Sequence, residues 1–305
     1  MPDMLKGRDY YKPFDYPWAY KFYEEQRNAH WSPAEVPLHE DTVDWETKLS
    51  DEEKNLLTQI FRFFTQQDVD VAKAYCEEFM PKFKAPELRM AMTTIASIEA
   101  IHMDAYALLI DTVGMPETTF KAFQEYAEMS DKHDYLFAQK FAPDTIEDLV
   151  FKIAKLSTFG EGLLLFSSFA ILKNFKRQGT MKGMNTIVDW SIRDETLHVE
   201  CMIKVFHALL DEHPYIWKDE FKKEIYQCCR DMVSLEDKFI DLAFEQGGIK
   251  DLEPSEVKQY IRFIADRRLQ QLGLKANYGV EENPLPWLDE MQNAQEHANF
   301  FENRS

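Results

Sequence analysis

Cysteine, basic charge, long apolar runs and strand-like alternation are all scarce in this sequence, and each scarcity excludes something. Only four cysteines occur, Cys76, Cys201, Cys228 and Cys229, and no two are spaced C-x-x-C. They suit a reducing compartment, and none reads as part of a zinc site. Lys and Arg total 35 against 54 Asp and Glu, a formal charge of -19. Such a balance speaks against binding a nucleic-acid backbone, which calls for a basic surface. No apolar run approaches the ~18 residues of a membrane span. The N-terminus, MPDMLKGRDYYKPFDYPW, lacks the hydrophobic core of an export signal. A cytoplasmic soluble protein, with neither membrane nor nucleic acid as partner, is therefore expected. No segment alternates like a strand, so the fold class is all-α.

What the chain does have is aromatic bulk, with 23 Phe and 13 Tyr among 305 residues, enough to pack one large core. A single domain over 1–305 is expected. Residues 1–49, with Pro13, Pro17, Pro33 and Pro37, read as an irregular N-terminal arm over the body. The helical body spans 50–272, and 273–305 forms a C-terminal segment. Ser50 and Glu53 make a capping box that opens a helix to about Phe79, closed by Pro81 and Pro86. A second long helix covers about 87–113, and a shorter one follows Pro116. Pro143-Asp144 with Glu147 opens a helix to about Lys173, 174–182 is a linker, and another helix covers about 184–210. Two more fill 215–246 and 255–272, and a last short one lies in the tail.

Two stretches stand out, Glu99-Ala100-Ile101-His102 and Glu195-Thr196-Leu197-His198. An i, i+3 pair on a helix puts carboxylate and imidazole on one face. Chance alone supplies about one Glu-x-x-His in such a chain, so the bare motif decides nothing. Two further carboxylates do. Asp68 and Glu99 each lie roughly 17 Å, at 1.5 Å per residue, from the turn their helices share, so an antiparallel pair puts them level. Glu161 and Glu195 repeat the arrangement around the next linker. Each position falls on a largely apolar stripe, Asp68 with Phe61, Phe64, Val71, Ala72 and Tyr75, whereas Asp70 faces Gln66, Gln67 and Lys73 and reads as solvated. Buried carboxylates must be paired, protonated or bound to a cation. Six such groups at matched heights point to a di-metal site in the core of a helical bundle.

Four carboxylates and two imidazoles form an O/N set suited to iron or manganese rather than zinc. Two metal ions per chain are expected, iron first, with manganese or a mixed pair also suited. Tyr106, seven residues after Glu99 and four after His102, falls on the same face, and its phenol should reach the edge of the site. Leu165 and Phe169 are the expected apolar wall around it.

The segments SIEAIHMDAY (97–106), FGEGLLLFSSFA (159–170) and WSIRDETLHVE (190–200) resemble the small, radical-generating subunit of class I ribonucleotide reductase. The likeness runs from Trp31-Ser32-Pro33 to NPLPW at 283–287. It implies a ferritin-like bundle whose ligands are Asp68, Glu99, His102, Glu161, Glu195 and His198, with Tyr106 as the radical tyrosine. Trp31 and Asp194 then match a relay from the surface to the His102 side of the metals. A homodimer is implied, working with a large catalytic subunit that reduces ribonucleoside di- or triphosphates. An activating flavoprotein is a further implied partner, supplying superoxide where dioxygen does not serve. Because the reducing thiols would belong to the large subunit, Cys228 and Cys229 read as structural. The family's C-terminal tail carries another relay tyrosine, and no tyrosine follows Tyr278; the native tail is expected to be missing here. Two other readings compete: a ligand-binding di-metal oxidase of the same superfamily, and ferritin-like metal storage.

Overall fold

Pro17 starts the first helix rather than breaking one, because proline at the first helical position gives up an N–H that has no partner anyway. In this computed structural model, residues 3–114, 126–137 and 145–291 are described. The arm holds α1 (Pro17–Asn28), a 3-10 turn (Pro33–Glu35) and α2 (His39–Thr47), so its prolines punctuate helices, and the arm is less irregular than expected. The helix predicted after Pro116 falls largely outside the described residues.

The body begins with α3 (Asp51–Ala74). Its capping box forms as read, with Glu53 N–H donating to Ser50 Oγ at 3.2 Å and Ser50 N–H to Glu53 Oε2 at 2.7 Å. A π turn (Tyr75–Phe79) ends it, and α4 (Pro86–Thr112) returns along it. Next come α5 (Ala127–Phe137), α6 (Ile146–Lys152), α7 (Phe166–Arg177) and α8 (Lys182–Glu212), then α9 (Asp219–Gln246) and α10 (Pro254–Gln271). The core is α3, α4, α8 and the column that α6 begins. Around it, α1 covers α4 and α8, while α9 and α10 close the far side. Among the described residues there is no strand, and no helix is long and apolar enough to cross a membrane.

One expected helix differs in a way that matters. The run predicted from Asp144 to Lys173 opens instead at Thr145, whose hydroxyl accepts from Asp148 N–H at 3.1 Å. It widens into a π segment over Ile153–Glu161 and breaks at 162–165 before α7. Glycines on both sides of Glu161 weaken the α ladder, and π turns gather at functional sites. Gly162 is required by space: a Cβ there would lie 2.1 Å from Thr158 O and 2.7 Å from Arg268 Nε. Arg268 instead donates to Gly162 O at 2.9 Å, which pins the break just past Glu161.

The start of α8 is fixed by the arm. Asp41 accepts from Gly183 and Met184 N–H, both at 2.8 Å, and Asp44 from Met181 N–H at 2.9 Å. These carboxylates satisfy donors that a helix N-terminus leaves unpaired.

Candidate metal centre

Four segments deliver six side chains to one buried point. Asp68 comes from α3, Glu99 and His102 from α4, Glu161 from the last residue of the π segment, and Glu195 and His198 from α8. All six are buried. Their ligand atoms sort into two quartets, Asp68, Glu99, His102 and Glu195, then Glu99, Glu161, Glu195 and His198, with the atoms of each within 4.8 Å of one another. Glu99 and Glu195 belong to both, as carboxylates shared by two cations would.

The polar atoms of this cluster are under-satisfied by protein alone. Asp68 Oδ2, both Glu99 oxygens, Glu161 Oε1, Glu195 Oε2 and both His198 nitrogens are buried without a hydrogen-bond partner. His198 Nδ1 is 3.0 Å from Glu99 Oε1, yet poorly aligned for a hydrogen bond. Groups buried this way are costly unless something else satisfies them. Two divalent cations would match four carboxylates and two neutral imidazoles in charge, and the donor set suits iron or manganese. The residues fit such a pair.

The metal-free electrostatics show the same frustration. Burial, then repulsion from Glu99, holds the Asp68 carboxyl well above its ordinary range. Burial and Glu195 do the same to Glu161. Burial would raise Glu99 too, but His102 and His198 outweigh it and bring it to about 2. Burial alone would depress His198, and Glu195 and Glu99 override it to about 10. His102 is likewise raised, against burial, by Asp194 and then by Glu195 and Glu99.

A family model described as ribonucleotide reductase, small chain, matches residues 8–284. The chain belongs to this family. Its activity is that of the reductase's small subunit, an oxidoreductase component, and the oxidase and storage readings fall away. The probable ribonucleoside-diphosphate reductase small subunit 376L of Invertebrate iridescent virus 6 is 44% identical, the match covering 99% of this chain and 94% of that one. A putative class I ribonucleotide reductase from Bacillus halodurans superposes with TM-score 0.84 at 22% identity, over 90% of this chain and 99% of that one. The dimanganese(II) protein NrdF of Streptococcus sanguinis gives 0.75 at 19%, over 88% and 95%. At those identities the likeness speaks for the fold.

Within this reductase subunit the other expected residues fall beside the cluster. His102 turns Nδ1 towards Glu195 Oε1, 3.4 Å away, and Nε2 towards Asp194 Oδ2 at 3.3 Å. Trp31 Nε1–H donates to the same Asp194 oxygen at 2.8 Å, so arm, aspartate and imidazole form one chain. Sequence reasoning missed three members of it. Gln26 Nε2 and Arg193 Nη2 donate to Asp194 Oδ1, each at 3.0 Å, and the Trp190 ring lies 4.9 Å from that of Trp31. Arg193 was visible as the neighbour of Asp194; Gln26 lies 168 residues away and gave no signal. Burial would raise the Asp194 carboxyl, but His102, then Arg193 and Trp31, hold it down at about 2.

Tyr106 is buried, and its hydroxyl donates to Ser191 Oγ at 3.2 Å. The rings that meet it come from α3. Phe64 meets it edge-on at 5.1 Å and Phe61 stacks at 6.4 Å, while Phe169 stands behind Phe64 at 5.3 Å. Leu165 is buried nearby in sequence on the broken column. Asp70 is not simply solvated: it accepts from Gln66 at 3.0 Å and meets His133 Nε2 at 2.8 Å.

Proposed function

We propose that Asp68, Glu99, His102, Glu161, Glu195 and His198 hold two metal ions and that Tyr106 stores a radical for ribonucleotide reduction. The observation that carries this reading is the pair of quartets sharing Glu99 and Glu195, with several buried donor atoms left without a hydrogen-bond partner. When bound, such a pair supplies oxygen-driven one-electron oxidation. Iron is the proposed metal, with manganese or a mixed pair accepted by the same ligands.

The chain's own residues set the conditions. Ser191 Oγ holds the Tyr106 O–H in place, and Phe61 and Phe64 keep water from the ring. Asp194 fixes His102 through Nε2 and leaves Nδ1 for the metal. The same carboxylate accepts from the Trp31 indole, so Trp31–Asp194–His102 is the proposed path along which an electron and a proton pass between Tyr106's side of the bundle and the partner. That partner is a large catalytic subunit, which binds the ribonucleotide, and the small subunit is proposed to act as a homodimer in the cytoplasm. An activating flavoprotein enters only where manganese is loaded and superoxide is the oxidant.

The test is electron paramagnetic resonance (EPR) of apo-protein reconstituted with Fe(II) and oxygen, then with Mn(II), counting metal per chain. Two metals and a tyrosyl doublet that disappears in Tyr106→Phe are expected. An undiminished organic radical in that variant refutes the role of Tyr106.

A further inference from the structure

The cluster has a second buried tyrosine at its opposite end. Tyr75 is fully buried, and its hydroxyl lies 3.0 Å from Glu161 Oε2 and 3.0 Å from Ser157 Oγ. Its ring packs edge-on against Phe79 at 5.3 Å.

The placement repeats that of Tyr106 in register. Tyr106 follows the cluster carboxylate Glu99 by seven residues, and Tyr75 follows Asp68 by seven. Tyr106 is bonded to Ser191, four residues before Glu195; Tyr75 is bonded to Ser157, four before Glu161. Because α3 and α4 run antiparallel, seven residues of each, ~10 Å at 1.5 Å rise, carry the two phenols to opposite poles. One difference favours chemistry at Tyr75. Its hydroxyl touches a cluster carboxylate directly, whereas that of Tyr106 touches only a serine.

From this geometry we infer that Tyr75 is a second oxidisable tyrosine of the centre, used when Tyr106 is unavailable. The inference rests on the reading that the cluster holds an oxidising metal pair. In the step, the Tyr75 O–H bond breaks. The proton moves along the existing hydrogen bond to Glu161 Oε2, one electron passes to the oxidised centre, and a neutral phenoxyl radical remains. A phenol has to lose its proton as it loses its electron, and Glu161 is already positioned to accept it.

The experiment is freeze-quench EPR of the full chain loaded with Fe(II) and mixed with oxygen, in four forms: unsubstituted, Y106F, Y75F and Y75F/Y106F. Expected is a smaller tyrosyl signal in Y106F, with β-proton splittings unlike those of the unsubstituted protein, that vanishes in the double variant. Y75F that carries two metals per chain should keep the Tyr106 doublet. Identical spectra from Y106F and the double variant, with two metals in each, would overturn the inference and leave the Tyr106 reading intact. A signal that Y106F leaves unchanged refutes the Tyr106 reading instead, and its loss in Y75F would then assign it to Tyr75. No signal in any form refutes both. Should Y75F load metal poorly, peptide mapping of Y106F after repeated oxygen cycles serves in its place. Oxygen added to the Tyr75 ring supports the inference, and an unmodified Tyr75 peptide counts against it.

Discussion

Loading metal into this centre should expel protons, and the structure bounds how many. In the metal-free protein His198 is raised to about 10, and His102 is also held well above its ordinary value. Both imidazoles are therefore cationic near neutrality, and a metal can take their nitrogens only after the protons leave. That sets a floor of two protons per chain. Asp68 and Glu161, both raised by burial and by neighbouring carboxylates, bring the ceiling to four. Each displaced proton is worth about 1.4 kcal/mol per pH unit. Loading of two ions should then strengthen by about 3–6 kcal/mol for each unit rise between pH 6 and 8. The sign is fixed by competition, since raising pH removes the proton that occupies the ligand atom.

The assay is anaerobic titration calorimetry of Mn(II) into apo-protein in buffers of different ionisation enthalpy. The slope of apparent heat against buffer enthalpy counts the protons. Release below two protons per chain, or loading that weakens as pH rises, would refute the assigned protonation. The metal-free protein should show the opposite trend in stability. A His198 pKa of about 10, against an unfolded value of ~6.5, means the folded state binds the extra proton across that window. Its stability is present in full below the lower value and is lost as pH rises towards the upper one. Melting temperature should fall over that range without metal.

Three other changes test separate parts of the argument. Trp31→Phe deletes the indole N–H on Asp194; metal count and radical should persist while deoxynucleotide formation with the large subunit drops at least ~10-fold. Phe64→Ala opens the wall against Tyr106, lowering stability by about 3–5 kcal/mol in denaturant titration and shortening the radical's half-life. Lys132→Met strips the partner from fully buried Glu236, 2.5 Å away, and should destabilise by about 3–5 kcal/mol. The double change Lys132→Met with Glu236→Leu should recover part of that loss.

The cluster was legible because its signal is local. Two Glu-x-x-His pairs fix direction on a helix, and distance from a shared turn fixes height, so the structure brings the same six side chains together. The π segment was not legible. Every residue from Leu156 to Glu161 is buried, so no apolar stripe marks the change of period, and only the hydrogen-bond ladder around Gly160-Glu161-Gly162 separates an α from a π helix. Tyr75 was hidden by abundance, one of 13 tyrosines on a stripe that reads as core. The spacing from Glu161 points to Leu165 and Phe169 as the wall of Tyr106, while the rings that meet it, Phe61 and Phe64, come from α3, with Phe169 behind Phe64. Helices α1 and α2 were masked because Pro13, Pro17, Pro33 and Pro37 together read as an irregular arm, whereas Pro17 starts α1 and Pro37 precedes α2.

The arm is bound up with the centre in a way that spacing along the core helices could not reveal. Asp194 is buried and charged, so it needs donors, and two of them, Gln26 and Trp31, come from the arm. His102 in turn takes its orientation from Asp194, and α8 takes its start from Asp41 and Asp44 of α2. The half of the centre that faces the arm is therefore held by segments outside the four core columns. The other half is held from within the body, by the π segment, by Tyr75 on Glu161, and by Arg268 on the Gly162 carbonyl. Each shared carboxylate, Glu99 and Glu195, sits between these two supports. A perturbation of the arm should thus reach the quartet containing His102 before the one containing His198, and the two metals should be lost one after the other rather than together.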